Sequence, residues 1–242
     1  MRVTAIIQAR MGSTRLPGKV MKKLGDRTVL GHVINRCQAI PSVTQVIVAT
    51  TTSAEDSVIC EEAEMYGVPY YKGSEENVLS RYYEAAKTFQ AEVVVRITSD
   101  CPLLDPQISH TVIEEFLKSG CDYASSGLSE TFPRGMDTEV FSFEALEESY
   151  QHASESFEKE HVTPYIYLHP DRFKLKSFSN GKDLSGYRLT LDTEEDWNLI
   201  SKIYNELYQG EIFGLPAVLK LFAQYPKLPL MNKDIKQKKL GE

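Results

Sequence analysis

Residues 8–19 read Gln8-Ala9-Arg10-Met11-Gly12-Ser13-Thr14-Arg15-Leu16-Pro17-Gly18-Lys19. The segment combines two glycines, two small hydroxyls and three cations. That combination suits a polyphosphate. Glycine lets a backbone approach closely and aims N–H groups at oxygens. Arginine forks grip oxygens in pairs, and lysine acts as a point charge. Spacing excludes two common phosphate loops. Gly12 and Gly18 lie six apart and Val20 follows Lys19, so G-x-x-x-x-G-K-[ST] is not met, and neither is G-x-G-x-x-G. Two further acids stand just past apolar runs: Asp100 in Arg96-Ile97-Thr98-Ser99-Asp100-Cys101-Pro102-Leu103-Leu104-Asp105-Pro106, and Asp192 in Arg188-Leu189-Thr190-Leu191-Asp192-Thr193-Glu194-Glu195-Asp196-Trp197. Asp105, directly before Pro106, suits a helix N-cap. Glu195 and Asp196 read as first-turn helix residues.

These residues need rigid supports, and the first hundred positions supply alternating strand and helix signals. Val3–Gln8 and Gln45–Thr50 are continuous apolar runs, the mark of buried parallel strands. Val29, Leu30, Val33, Ile34 and Cys37 form a helical stripe. Ser53 with Asp56 starts a second helix that Gly67 closes. Val68–Tyr71 reads as a short strand, Glu75–Phe89 as a helix and Glu92–Thr98 as a strand. The βαβαβαβ order predicts an α/β fold, a mostly parallel central sheet with helices on both faces. Ligands of such sheets lie at the carboxyl ends of the strands, where the Gln8–Lys19 loop begins. Beyond residue 100 the pattern predicts a helix over Pro106–Lys118, strands over Asp122–Ser126 and Thr138–Phe143, and a helix over Phe143–His152. It then predicts strands over Phe173–Phe178 and Tyr187–Leu191, and a helix over Thr193–Tyr208 capped by Thr193. Ser126–Gly135 reads as a loop over the site. The basic stretch Lys233–Lys239 reads as a frayed tail. With no repeat and no linker, one domain over residues 1–242 with a C-terminal helical elaboration is the simplest organisation.

Composition bounds the function. The chain has 242 residues and a net charge of −7, so bulk attraction to nucleic acid is not expected. No apolar run reaches membrane-spanning length and no signal-peptide core follows Met1, which predicts a cytoplasmic protein without membrane insertion. Cys37, Cys60, Cys101 and Cys121 lack C-x-x-C spacing and read as reduced buried thiols.

The string Q-A-R-x-x-S-T-R-L-P-G-K resembles the N-terminal loop of the nucleotide-diphospho-sugar transferase class, a Rossmann-like fold. More narrowly it resembles the cytidylyltransferases that activate acidic sugars, the Kdo and acylneuraminate CMP-sugar synthetases, and most nearly their SpsF-like spore-coat polysaccharide branch. Hexose-1-phosphate nucleotidylyltransferases carry Gly-Gly where this chain has Ala9-Arg10. The Asp100 segment resembles G-D-x-P-L-[IL]-x-P of the Kdo enzymes, with Ser99 in place of Gly. The Asp192 segment resembles their late D-T-x-E-D-[LW] motif, although Thr190 stands where some relatives place a second acid. The resemblance implies that Asp100 and Asp192 hold Mg²⁺, a hard cation that takes carboxylates plus phosphate oxygens.

By the same resemblance, Arg10, Arg15, Lys19 and Asp100 form the catalytic set. Ala9, Gly12, Ser13 and Thr14 cradle the triphosphate. Ser74, Asn77 and Arg81 lie where relatives contact base and ribose; a capped surface helix explains those three equally. Arg134, Asp137 and Glu139 suit an acceptor sugar, a cation for its carboxylate and acids for its hydroxyls. A solvated loop with an ion pair accounts for them as well. His161, in Glu160-His161-Val162-Thr163-Pro164-Tyr165, is placed by the family pattern at the acceptor pocket, against the alternative of a structural histidine. The implied reaction moves CMP from CTP to a sugar acid and releases pyrophosphate, for surface or spore-coat polysaccharide. The alternatives are a GT-A-type glycosyltransferase, disfavoured because no Asp-x-Asp pair occurs, and a non-catalytic nucleotide-binding protein. Dimerisation is common among relatives, so a homodimer is also expected.

Overall fold

The computed structural model describes residues 1–236; the end of the predicted basic tail, from residue 237, lies outside them. The elements run β1 (Val3–Gln8), the short pair β2 (Lys23–Leu24) and β3 (Arg27–Thr28), α1 (Val29–Gln38), β4 (Gln45–Thr51), α2 (Ser57–Met65), β5 (Tyr70–Gly73), α3 (Val78–Thr88) and β6 (Val93–Thr98). They continue with α4 (Pro106–Ser119), β7 (Tyr123–Ser125), β8 (Glu139–Ser142), α5 (Phe143–His152), α6 (Ser156–His161), α7 (Pro164–Tyr167), β9 (Leu175–Ser177), α8 (Glu194–Leu207) and α9 (Leu215–Gln224). The main sheet has seven strands in the order β5-β4-β1-β6-β8-β7-β9. β5, β4, β1 and β6 are parallel, and β8 runs against both β6 and β7.

The expected mostly parallel sheet with helices on both faces is what forms. Ala5 and Ile7 of β1 pack with Leu30, Val33 and Ile34 of α1, Ile59 of α2 and Val112 and Phe116 of α4. Ile6, one residue along, faces Leu79, Tyr82 and Ala86 of α3 and Leu146 of α5. Burial on both faces explains why β1 reads as a continuous apolar run rather than an alternation. A third cluster joins the loop after β1 to the C-terminal helices: Leu16 and Leu24 pack with Leu189, Leu191, Leu199, Ile203, Leu215 and Leu221.

Several local expectations change. Tyr187–Leu191 is not a strand. It is an extended strap whose bonds go to two loops: Leu189 N donates to Arg134 O at 2.7 Å, and Leu191 N to Asp100 O at 2.8 Å. The expected strand at Val68–Tyr71 starts later, because Val68 N closes α2 on Ala63 O at 2.9 Å and pairing begins at Tyr70. The helix expected from Glu75 starts at Val78, since the Asn77 side chain caps it by accepting from Ser80 N. Ser53 makes no side-chain cap, and the Asp56 carboxylate turns inward to accept from Met11 N at 2.7 Å and from the Thr51 hydroxyl. α6, α7 and α9 were not read from the sequence, although Leu215, Val218, Leu221 and Phe222 have helical spacing.

Gly135 sets the contact between the strap and the loop before β8. Its φ is +97°, and a Cβ there would lie 2.6 Å from the Leu189 carbonyl carbon. Gly135→Ala is expected to cost about 1–3 kcal/mol from backbone strain alone, with more from the clash, seen as a lowered urea midpoint.

Candidate active site

The β1 and β6 strands lie side by side, with Gln8 paired to Thr98. Their loops therefore leave the same sheet edge together, and Ser99 N donates to Gln8 O at 3.0 Å. The strap then reaches Asp100 through the Leu191 amide. This places Lys19, Asp100 and Asp192 at one point. Lys19 Nζ donates to Asp100 Oδ2 at 2.9 Å, to Asp192 Oδ1 at 2.8 Å and to Leu191 O at 2.7 Å. Arg15 approaches the other Asp192 oxygen at 3.4 Å. Burial works to lower the Lys19 pKa, but the charges of Asp100 and Asp192 outweigh it and raise it. Burial works to raise the Asp100 carboxyl, yet Lys19 and hydrogen bonds from Thr98 and Cys101 bring it down to about 2.

Sequence reasoning missed the support behind Asp192. Arg188 Nη2 donates to Asp192 Oδ2 at 2.8 Å, and its Nε to Asp196 Oδ1 at 2.9 Å. Asp196 is fully buried and also accepts from Asp192 N, Thr193 N and Asn232 Nδ2, at 2.9, 3.1 and 2.7 Å. It is a first-turn helix residue, as its position predicts, and it closes a reciprocal cap with Thr193. Its carboxylate also anchors the arginine that orients Asp192. The signal was an arginine four residues before Asp192 and an acid four after. Only a strap that folds back onto its own helix gives that spacing meaning.

The rest of the loop is ordered without being closed. Gly18 sits at φ +63° ahead of a short 3₁₀ turn that starts at Lys19. The Gly12 and Thr14 amides have no acceptor among the described residues, whereas Ser13 N donates to Met11 O at 2.7 Å. Ala9 is buried and its amide is spent on Ala49 O at 3.1 Å, so its backbone N–H belongs to the sheet. Arg10 is exposed and pairs with Glu75 at 3.3 Å.

Ser74, Asn77 and Arg81 come together at the start of α3 as a cap. Ser74 Oγ accepts from Asn77 N at 3.0 Å, and the buried Arg81 donates to Ser74 O at 2.7 Å. On the other side, Arg134 is half-exposed and lies 3.8 Å from Asp137. Burial raises the Asp137 carboxyl against the pull of Arg134 and the Gly135 amide. Glu139 does not face open space: its carboxylate accepts from Tyr123 Oη and Thr163 Oγ1, both at 2.6 Å, and from Arg96. It is an internal strut beneath the Arg134–Asp137 loop. His161 is half-buried, and burial lowers its pKa.

An open, mostly parallel sheet whose carboxyl edge joins a cationic, glycine-bearing loop to two convergent carboxylates is the framework of a nucleotidyltransferase. The chain belongs to the cytidylyltransferase family, whose model, described as "Cytidylyltransferase", matches residues 4–221. It is 36% identical to the uncharacterized protein MJ1063 of Methanocaldococcus jannaschii, over 100% of this chain and 99% of that protein. It is 32% identical to the spore coat polysaccharide biosynthesis protein SpsF of Bacillus subtilis, over 91% of this chain and 94% of that protein. Among solved structures, a cytidylyltransferase from Leptospira borgpetersenii superposes with a TM-score of 0.90 at 33% identity, covering 99% of this chain and 100% of that one. A CMP:2-keto-3-deoxy-manno-octonic acid synthetase with CTP shares the fold, with a TM-score of 0.68 at 16% identity, over 85% of this chain and 99% of that one.

Two outcomes follow from the carboxylates. Asp100 has a depressed pKa, so its stabilising contribution is complete above the ordinary value of 3.8 and is lost as pH falls towards about 2. Asp100→Asn should flatten that acid limb in a series of denaturation midpoints against pH. Asp196→Ala strands the largely buried Arg188 beside one acid and should cost about 3–5 kcal/mol in urea unfolding.

Proposed function

We propose that this protein transfers CMP from CTP to a sugar acid, releasing pyrophosphate, and that the product feeds a surface polysaccharide. The observation that carries the reading is the meeting of Asp100, Asp192 and the cationic loop at one sheet edge. The likeness to SpsF, a spore coat polysaccharide biosynthesis protein, supports the polysaccharide role, and the fold shared with the CMP:2-keto-3-deoxy-manno-octonic acid synthetase complexed with CTP supports the choice of substrates. In the reaction a sugar hydroxyl oxygen bonds to the α-phosphorus, the bond from that phosphorus to the pyrophosphate oxygen breaks, and the hydroxyl proton is released. Arg10, Arg15 and Lys19 neutralise the β- and γ-phosphates and so stabilise the departing pyrophosphate. Amides around Gly12–Thr14 hold the phosphate oxygens, those of Gly12 and Thr14 having no acceptor among the described residues. Catalysis of this kind is mostly positioning and electrostatics.

The residues fit a divalent cation. Two carboxylate oxygens and a carbonyl converge on the Lys19 ammonium within 2.7–2.9 Å, an all-oxygen set suited to a hard ion. We assign Asp100 and Asp192 to Mg²⁺, which when bound supplies charge neutralisation at the α-phosphate. Ser74, Asn77 and Arg81 shape the base and ribose side. Arg134 meets the acceptor carboxylate, Asp137 and His161 face its hydroxyls, and Glu139 fixes the floor. No helix among the described residues is long and apolar enough to cross a membrane, which supports a cytoplasmic site of action.

A pyrophosphate-release assay of the four NTPs against 3-deoxy sugar acids, with Mg²⁺, tests the reading. Release is expected with CTP and an acidic sugar. Asp100→Ala should lower kcat by about 100-fold or more with a smaller change in KM. No release with any pair would overturn it, and a nucleotide sugar consumed without pyrophosphate would indicate a glycosyltransferase.

A further inference from the structure

Lys19 stands between two duties. As a phosphate ligand it belongs on the triphosphate, yet here its ammonium occupies the point where the metal-site oxygens converge. It lies 2.9 Å from Asp100 Oδ2, 2.8 Å from Asp192 Oδ1 and 2.7 Å from Leu191 O. An ammonium and a divalent cation cannot share that position. We infer that Lys19 is the resident cation of the metal site, and that it makes metal binding conditional on a triphosphate that draws its side chain away. The triphosphate half of this inference rests on the nucleotidyl-transfer reading.

Charge favours the same order of events. Three cations, Arg15, Lys19 and Arg188, face three acids, Asp100, Asp192 and Asp196, within one network. A bare divalent ion would enter a site already neutral and lined by cations, and would have to expel Lys19 into poorer surroundings. A triphosphate changes both terms: it gives the ammonium a stronger anion and brings oxygens that complete the metal's shell. Asp100, Asp192 and the Leu191 carbonyl offer three oxygens at that point, fewer than the six of an octahedral shell, so phosphate oxygens add ligands there.

The mechanics are local. The Lys19 backbone is fixed by its amide on Leu16 O at 3.2 Å and by the turn after Gly18, so only the flexible four-carbon stem needs to swing. Arg188 stays behind, holding Asp192 in place through Asp196. Arg15 is more exposed than Lys19 and more loosely held on Asp192, so it lies on the side from which an anion arrives. By reciprocity, metal must strengthen triphosphate binding by the factor that triphosphate strengthens metal binding.

Mn²⁺ titration of the full chain, read from the EPR signal of the free ion, tests this directly, with ion bound by nucleotide alone subtracted. In the wild type, α,β-methylene-CTP should raise Mn²⁺ affinity about 100-fold, whereas CMP, lacking the outer phosphates, should not. Lys19→Met should tighten binding of Mn²⁺ without nucleotide by about tenfold or more and shrink the coupling, while Lys19→Arg should leave it weak. The inference is overturned if wild-type protein binds bare Mn²⁺ as tightly as with the analogue, or if folded Lys19→Met gains nothing. If Lys19→Met does not fold, as judged by circular dichroism, the wild-type titrations decide. A gain in bare-metal affinity for Lys19→Met with no binding of any cytidine nucleotide would sink the nucleotidyl-transfer reading and support the place of Lys19. Analogue binding without any change in metal affinity would sink the inference alone.

Discussion

Three stretches of chain, around residues 19, 100 and 192, are tied through a single ammonium group. Each arrives by a different route: one loop leaves β1, the second leaves β6, and the third is a strap held to the second by the Leu191 amide. Ion pairs as buried as these add little net stability, since desolvating the charges offsets most of their attraction. Breaking one of them is costly, however, because the partner is left buried and uncompensated. The pairs therefore act as a constraint more than as a source of stability. The apolar packing of Leu16, Leu24, Leu189, Leu191 and the C-terminal helices carries the energy. The charges decide which of the many ways of packing those leucines is permitted.

That division explains what was legible in the sequence. Val3–Gln8, Gln45–Thr51 and Val93–Thr98 are buried on both faces and advertise themselves as apolar runs. The caps at Asp105 and Thr193 are local signals. The strap at Tyr187–Leu191 has a strand's composition, but its partners are a loop and the end of another loop. Local pattern records burial and does not record the partner. The same blindness hid Arg188, whose role depends on a carboxylate four residues ahead and on Asn232 far along the chain. The spacing of Asp56 from Ser53 marks a helix start, and a helical turn does begin after Ser53, but the Asp56 carboxylate accepts from the Met11 amide and the Thr51 hydroxyl, which no local pattern records.

The sheet also fixes where the loop before β8 lies relative to the Gln8–Lys19 loop. β6 is the last of the four adjacent parallel strands, and its neighbour β8 runs the other way. The reversal brings the loop before β8 onto the same edge as the phosphate loop. Gly135 lets that loop press against Leu189, so the Arg134–Asp137 loop and the strap share a boundary.

A strained residue lies beside the Glu139 strut. Val162 is fully buried at φ +74°, a conformation costly for a β-branched residue. Thr163 N bonds back to His161 O at 2.9 Å across this tight turn, and the Thr163 hydroxyl reaches Glu139. Such strain persists only where the surroundings over-determine it. Here the Glu139 carboxylate, held by Arg96, Tyr123 and Thr163, supplies the restraint. Arg134 and Asp137 above it remain solvent-accessible and loosely paired. On the proposed reading, this held floor beneath Arg134 and Asp137 would fix one reacting hydroxyl while exposed side chains read the rest of the sugar. On that same reading, differences in acceptor choice should fall on the half-exposed Arg134 and its partner Asp137, whose side chains can change without touching the Glu139 strut.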